Sequence, residues 1–172
     1  SVRFMKKLVS AILIACVTLL TTYTGTANAM TGNDLESVKA LQNGDQTIEG
    51  VTIGQSLKDV FREKGKGIHT QQAYGHDHYY EYHTKKGLMI VTTNGQSEQS
   101  KVKRISMSYQ ALNWPSYEDV KKEVSQKAIT RAHYNSVTGN NGYVVDGKVS
   151  YQFASENPKD QHLKLYRIDL EA

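Results

Sequence analysis

Residues 75–91, GHDHYYEYHTKKGLMIV, pack three histidines, an aspartate, a glutamate and three tyrosines in front of an apolar run. Their reading decides whether the chain is built around a metal centre or around a β-hairpin. The pattern favours two strands, at about 77–83 and 87–93, joined by the turn at Lys85-Lys86-Gly87. On such a strand His76 and His78 share one face, about 7 Å apart at ~3.3 Å per residue. His83 falls on the opposite face with Asp77, Tyr79 and Glu81. One strand therefore cannot gather these side chains around an ion, although His69 could be supplied by a neighbouring strand. No H-E-x-x-H helix and no Cys/His ligand spacing occurs. Neither a metal site nor a cofactor is expected.

Working outward, the hairpin has a counterpart. Residues 80–107 and 143–170 align without a gap at an offset of 63, pairing Leu88 and Ile90 with Tyr151 and Phe153. Arg104-Ile105 then meets Arg167-Ile168, and Met107 meets Leu170. The alignment keeps the period-2 phase that a strand needs to bury one face. Upstream, Ser56-Leu57-Lys58-Asp59-Val60 and Ser116-Tyr117-Glu118-Asp119-Val120 share S-x-x-D-V. In each the serine is an N-cap, and an acid at the third helical position meets the helix dipole.

The expected fold class is α+β: two tandem repeats, each a helix (or helix pair) followed by a four-stranded antiparallel sheet. The helices span about 56–64 and 116–126. The strands lie at about 68–74, 77–83, 87–93 and 102–109, then 128–135, 142–146, 148–155 and 163–170. Val145-Asp146-Gly147-Lys148 is a tight hairpin. A further helix covers 33–44, and 110–115 links the halves. The divisions are 1–29, a secretory signal; 30–110, the first repeat with the N-terminal helix; and 111–172, the second, in one compact domain.

The signal reading rests on Lys6-Lys7, an apolar run from Leu8 to Leu20, and Ala27-Asn28-Ala29, a small-x-small cleavage site. The run is shorter than the ~20 residues of a membrane span. The expected form is secreted and extracellular, cleaved after Ala29, with no transmembrane segment. Leu13-Ile14-Ala15-Cys16 also satisfies a lipobox, making a lipoprotein at Cys16 the minor alternative. Cys16 is the one cysteine, so the remaining 143 residues can form no disulfide and hold no thiolate nucleophile. An exported chain that folds without disulfides fits a Gram-positive exporter.

Charge narrows the classes of partner. Residues 1–29 hold three basic residues and no acid, so the mature part carries 18 Lys+Arg against 17 Asp+Glu. A net charge of +1 gives little field for nucleic acid. It is unevenly spread: residues 30–100 sum to −2 and residues 101–172 to +3. Catalytic signatures are missing too. No serine lies in G-x-S-x-G, no phosphate loop or G-x-G-x-x-G occurs, and Asp77 with Glu81 share one strand face rather than flanking a cleft.

A binding surface remains. Leu88, Ile90, Tyr151 and Phe153 are expected in the core. The alternate positions Met89, Val91, Gln152 and Ala154 would then lie on the sheet face away from the helices. Of these, Met89 and Gln152, with Tyr79, Glu81, His83, Arg104, Arg167 and Asp169, form the candidate binding set. Eleven Tyr against three Phe is a bias toward amphipathic aromatics, the residues that carry interface energy with arginine.

The S-x-x-D-V helix, the aromatic strand at Tyr79-Tyr80, the apolar strand Leu88–Val91 and the basic-apolar start of the last strand resemble the repeat of β-lactamase-inhibitor-protein-like folds. Within that group the chain resembles the secreted immunodominant staphylococcal antigen B type of protein. The resemblance covers most of 50–109 and, more faintly, 115–170. It implies the fold and a secreted, non-catalytic interaction or inhibitor-like role. Its association with extracellular nucleic acid is implied by more basic relatives, from which the near-neutral charge here departs. The expected function is binding of an extracellular protein or polymer. The alternative is an extracellular nucleic-acid binder using Lys101, Lys103, Arg104, Lys121, Lys122, Lys127, Arg131 and Arg167 with stacked tyrosines. A metal-assisted hydrolase ranks below both.

Overall fold

The computed structural model describes residues 33–172. The expected signal, its cleavage site and Cys16 lie outside the described residues.

Three short helices occur among them: α1 (Leu35–Gln42), α2 (Leu57–Lys64) and α3 (Tyr117–Glu123). Each begins where a side chain satisfies an orphan amide of the first turn. Asp34 accepts from the Ser37 amide, Ser56 from the Asp59 amide, and Ser116 from the Asp119 amide. Both S-x-x-D-V segments are therefore helix starts. Helix α3 stops at Glu123, short of the expected 126, because Val124 is already extended, at φ −87° and ψ 163°.

Ten strands follow or intervene. A small hairpin of β1 (Thr47–Ile48) and β2 (Val51–Thr52) was not expected from the sequence. Glu49 and Gly50 turn it at positive φ, 48° and 82°. The Glu49 carboxylate accepts from the Lys86 ammonium and the Tyr109 hydroxyl, each at 2.9 Å. Those bonds hold a non-glycine residue in a backbone region it seldom adopts.

The other eight strands are β3 (Ile68–Gln71), β4 (His78–His83), β5 (Gly87–Thr93), β6 (Val102–Ser116), β7 (Ile129–His133), β8 (Asn141–Asp146), β9 (Val149–Ala154) and β10 (Lys164–Glu171). They form one antiparallel sheet in the order β3-β4-β5-β6-β10-β9-β8-β7. Two four-stranded sheets were expected; pairing of β6 with β10 merges them. The segment 110–115, expected as a linker, continues β6 and carries part of that pairing, Leu165 opposite Asn113. Satisfying its backbone groups in the sheet replaces solvation of a loop.

The helices cover one face. Phe61 of α2 meets Tyr80 edge-on at 5.3 Å, Tyr117 of α3 meets Phe153 at 5.4 Å, and the Tyr151 hydroxyl donates to Gln42 of α1 at 3.0 Å. Beneath them lie Tyr80, Tyr82, Met89, Val91, Ile105, Met107, Val144, Tyr151, Phe153, Ile168 and Leu170, all buried.

One strand is inverted relative to expectation. Met89 and Val91 are fully buried, whereas Leu88 and Ile90 are half-buried on the opposite face. The pairings give the reason. Tyr82 lies opposite Met89, and Val144 lies opposite Tyr151. Met89 thus shares the helix-covered face with Tyr82, as Tyr151 does with Val144, whereas the gapless alignment puts Leu88 there. A slip of one residue turns every side chain of a strand over.

Candidate functional site

Among the described residues no element covers the face away from the helices, and the cross-strand register lays this bare face out in rows. One row runs Thr70, Tyr79, Thr92, Arg104, Glu171. A second runs Ile68, Glu81, Ile90, Ser106, Asp169, Ser150, Val145, Ile129. A third runs His83, Leu88, Ser108, Arg167, Gln152, Tyr143, Arg131. Partners directly opposite in a sheet stand about 4.5–5.5 Å apart and share a face.

Between the first two rows lies a groove of about 390 Å³, lined by Thr70, Tyr79, Glu81, Ile90, Thr92, Arg104, Ser106 and Arg167. Four of the eight expected binding residues, Tyr79, Glu81, Arg104 and Arg167, line it. Asp169 lies behind it, accepting both arms of the Arg167 fork at 3.0 Å and the Ser106 hydroxyl. That bond holds Arg167 more firmly in its charged form, against the opposing pull of burial. Arg104 pairs with Glu171, and His83 stands 3.6 Å from Glu81. Gln152 sits one strand beyond Arg167 and accepts from the Tyr166 hydroxyl at 3.1 Å.

Met89 is the exception. It is in the core and cannot take part; its place on the bare face is filled by Leu88 and Ile90. Ile90, Thr70, Thr92 and Ser106 were missed. Arg104-Ile105-Ser106-Met107-Ser108 did carry a signal, since strict alternation puts Ile105 and Met107 inward and Ser106 outward.

Arg167 reaches this face through a bulge. Leu165 pairs with Phe153 and Arg167 with Gln152, so Tyr166 is an extra residue in β10. In a regular strand Leu165 and Arg167, two places apart, would share a face. With the bulge, Leu165 is buried and Arg167 looks outward.

The histidines separate. His76 is exposed in the turn before β4, while His78 is buried and opens the strand. The neighbouring strand does bring His69 to it, with Nε2 2.8 Å from Nδ1 of His78. Among the described residues, no group of three His, Cys, Asp or Glu is placed to hold a metal ion. Asp77, considered as a partner for Glu81, is engaged by Lys103. Of the cations considered for nucleic acid, Lys103, Arg104 and Arg167 carry carboxylate partners, and Lys121 is on a helix beside Glu118. Their field is largely offset.

A larger cavity, about 570 Å³, opens on the helix side between α1, the end of α3 and the β8–β9 turn. Three of its polar residues bind each other. Asp146 accepts from the Ser125 amide at 2.7 Å, the Ser125 hydroxyl at 2.9 Å and the Gln42 amide at 2.7 Å. These donors, the Ser125 amide foremost, hold its carboxyl below the usual range. The cavity therefore reads as a packing seam, and the groove on the bare face is the candidate site.

Among the described residues, no helix is long and apolar enough to cross a membrane. The model of a family described as SA0570-like matches residues 5–171. No curated protein matches the chain. A solved structure that is similar is that of a DUF4309 family protein, YjgB, from Bacillus subtilis. It shares 17% identity over 81% of this chain and 98% of that one, with a TM-score of 0.45.

Proposed function

This chain belongs to the SA0570-like family, and from its bare sheet face we propose a secreted, non-catalytic binding protein that engages an extracellular protein or polymer there. One observation carries the reading: the groove that joins Tyr79 and Ile90 to the guanidinium groups of Arg104 and Arg167. Such a surface combines apolar area with charged, oriented donors, as interface hot spots do. The ion pairs that hold the two arginines pre-order them, so less freedom is lost on binding. We read the two S-x-x-D-V helices and the two four-stranded halves of the sheet as a duplicated unit, in keeping with the resemblance to the antigen B type. Export by a cleaved signal belongs to this same reading.

The test is capture. Purified protein is presented with a mixture of extracellular proteins and, separately, with labelled DNA at low and high salt. A protein retained at raised salt by the parent, and lost from the double variant Y79A/R167M, supports the reading. Retention of DNA alone, abolished by salt, would replace it with nucleic-acid binding.

A further inference from the structure

We propose that strand β7 is a docking edge for an extended peptide of acidic character, which adds to the sheet as a further strand. The proposal rests on the binding reading above and names the partner chemistry at one border of the same face.

Among the described residues strand β7 ends the sheet, with β8 on one side and no strand on the other. Its outward backbone groups are thus a template for another chain. Ile129, Arg131 and His133 alternate onto the bare face, opposite Val145, Tyr143 and Asn141. Ile129 is 63% exposed and Tyr143 37%. An added strand would meet apolar surface at Ile129 and a guanidinium at Arg131.

Charge selects the partner. Arg104 and Arg167 have carboxylate partners, but Arg131 and nearby Lys127 have none within ion-pair distance among the described residues. A carboxylate placed opposite Arg131 would supply what the face lacks. The same residue argues against a second copy of this chain. Antiparallel self-pairing over the whole strand centres on residue 131 and sets Arg131 against its own counterpart, a like-charge pair that sheets disfavour. A strand with an acid at that position, and an apolar residue two places away, resolves both demands.

The test uses a fluorescent nine-residue peptide alternating threonine with valine and glutamate, two glutamates lying at and beside its centre on one face. A lysine-for-glutamate version is the control. The expected result is saturable binding of the acidic peptide, at least fivefold weaker binding of the lysine peptide, and reversal of that order in Arg131→Glu. Arg131→Gln should remove the preference without reversing it. Amide exchange at Ile129–His133 should slow on saturation. The proposal is overturned if the acidic peptide does not bind, if R131E leaves the order unchanged, or if protection falls on β3 or the groove instead. Cross-linking of the free protein to itself through β7 would also overturn it. Groove-dependent capture that persists while the peptide fails would sink this proposal alone and leave the binding reading standing.

Discussion

Nε2 of His69 lies 2.8 Å from Nδ1 of His78, with the two rings 13° from parallel and their centroids 5.1 Å apart. That separation is about the sum of a hydrogen bond and two ring radii, so the rings meet nearly in line. One nitrogen donates and the other accepts. Tyr80 stacks on His69 at 4.9 Å, and Phe61 packs on Tyr80. The N–H of one ring points at the lone pair of the other, so the two nitrogens do not converge on a common third point, as chelation would require.

Because an ion must first break this bond, nickel or zinc at a few equivalents is expected to leave the thermal midpoint unchanged. A rise of several degrees, absent in His69→Ala, would overturn that view. His69→Ala itself should cost about 1 kcal/mol in urea unfolding, the net worth of one hydrogen bond.

The two faces of β5 can be told apart by truncation. Met89→Ala should cost about 2–4 kcal/mol, since Met89 is fully buried. Leu88→Ser, on the bare face, should cost under about 1 kcal/mol. Denaturant titration of both variants is the check; a larger cost for Leu88→Ser than for Met89→Ala would restore the opposite assignment.

Ser56→Ala and Ser116→Ala each remove the acceptor of a first-turn amide. Each should lower stability by about 1 kcal/mol. The caps sit on different helices and share no partner, so the double variant should show the sum.

Gly87 opens β5 at φ +149°, and a Cβ there would overlap the Ser108 carbonyl oxygen on the adjoining strand. Gly87→Ala is therefore expected to cost more than about 3 kcal/mol, through strain at a backbone position reserved for glycine. Circular dichroism during thermal unfolding measures it.

Burial, with Tyr80 close by, pushes the Tyr82 hydroxyl up to about 12, above its ordinary 10. Its proton is donated to the Gly65 carbonyl at 2.9 Å. A group with a raised folded pKa gives stability that is fully present below pH 10 and is lost as pH climbs through 12. Stability should therefore fall across that window. Tyr82→Phe should flatten the fall while lowering neutral-pH stability by about 1 kcal/mol. An unchanged alkaline slope would remove Tyr82 as its source.

Much of this architecture is written in short stretches of chain. Ser56 and Ser116 cap helices with bonds that close over three residues, and alternation in Arg104–Ser108 and in Val149–Ala154 marks a strand wherever it ends up. Tyr79, Glu81, Arg104 and Arg167 were legible as outward residues for the same reason. Other features depend on partners distant in the chain. The face that β5 buries is set by the pairing of Tyr82 with Met89, and one residue of slip, invisible to a gapless alignment, exchanged Met89 for Ile90 in the site. The joining of the two halves into one sheet depends on β6 finding β10 about sixty residues away. The extra residue at Tyr166 and the meeting of His69 with His78 likewise exist only once strands lie side by side. Local hydrogen bonds and side-chain period are fixed by neighbours in sequence; register, bulge and groove are fixed by which strand packs against which, an outcome of the whole core.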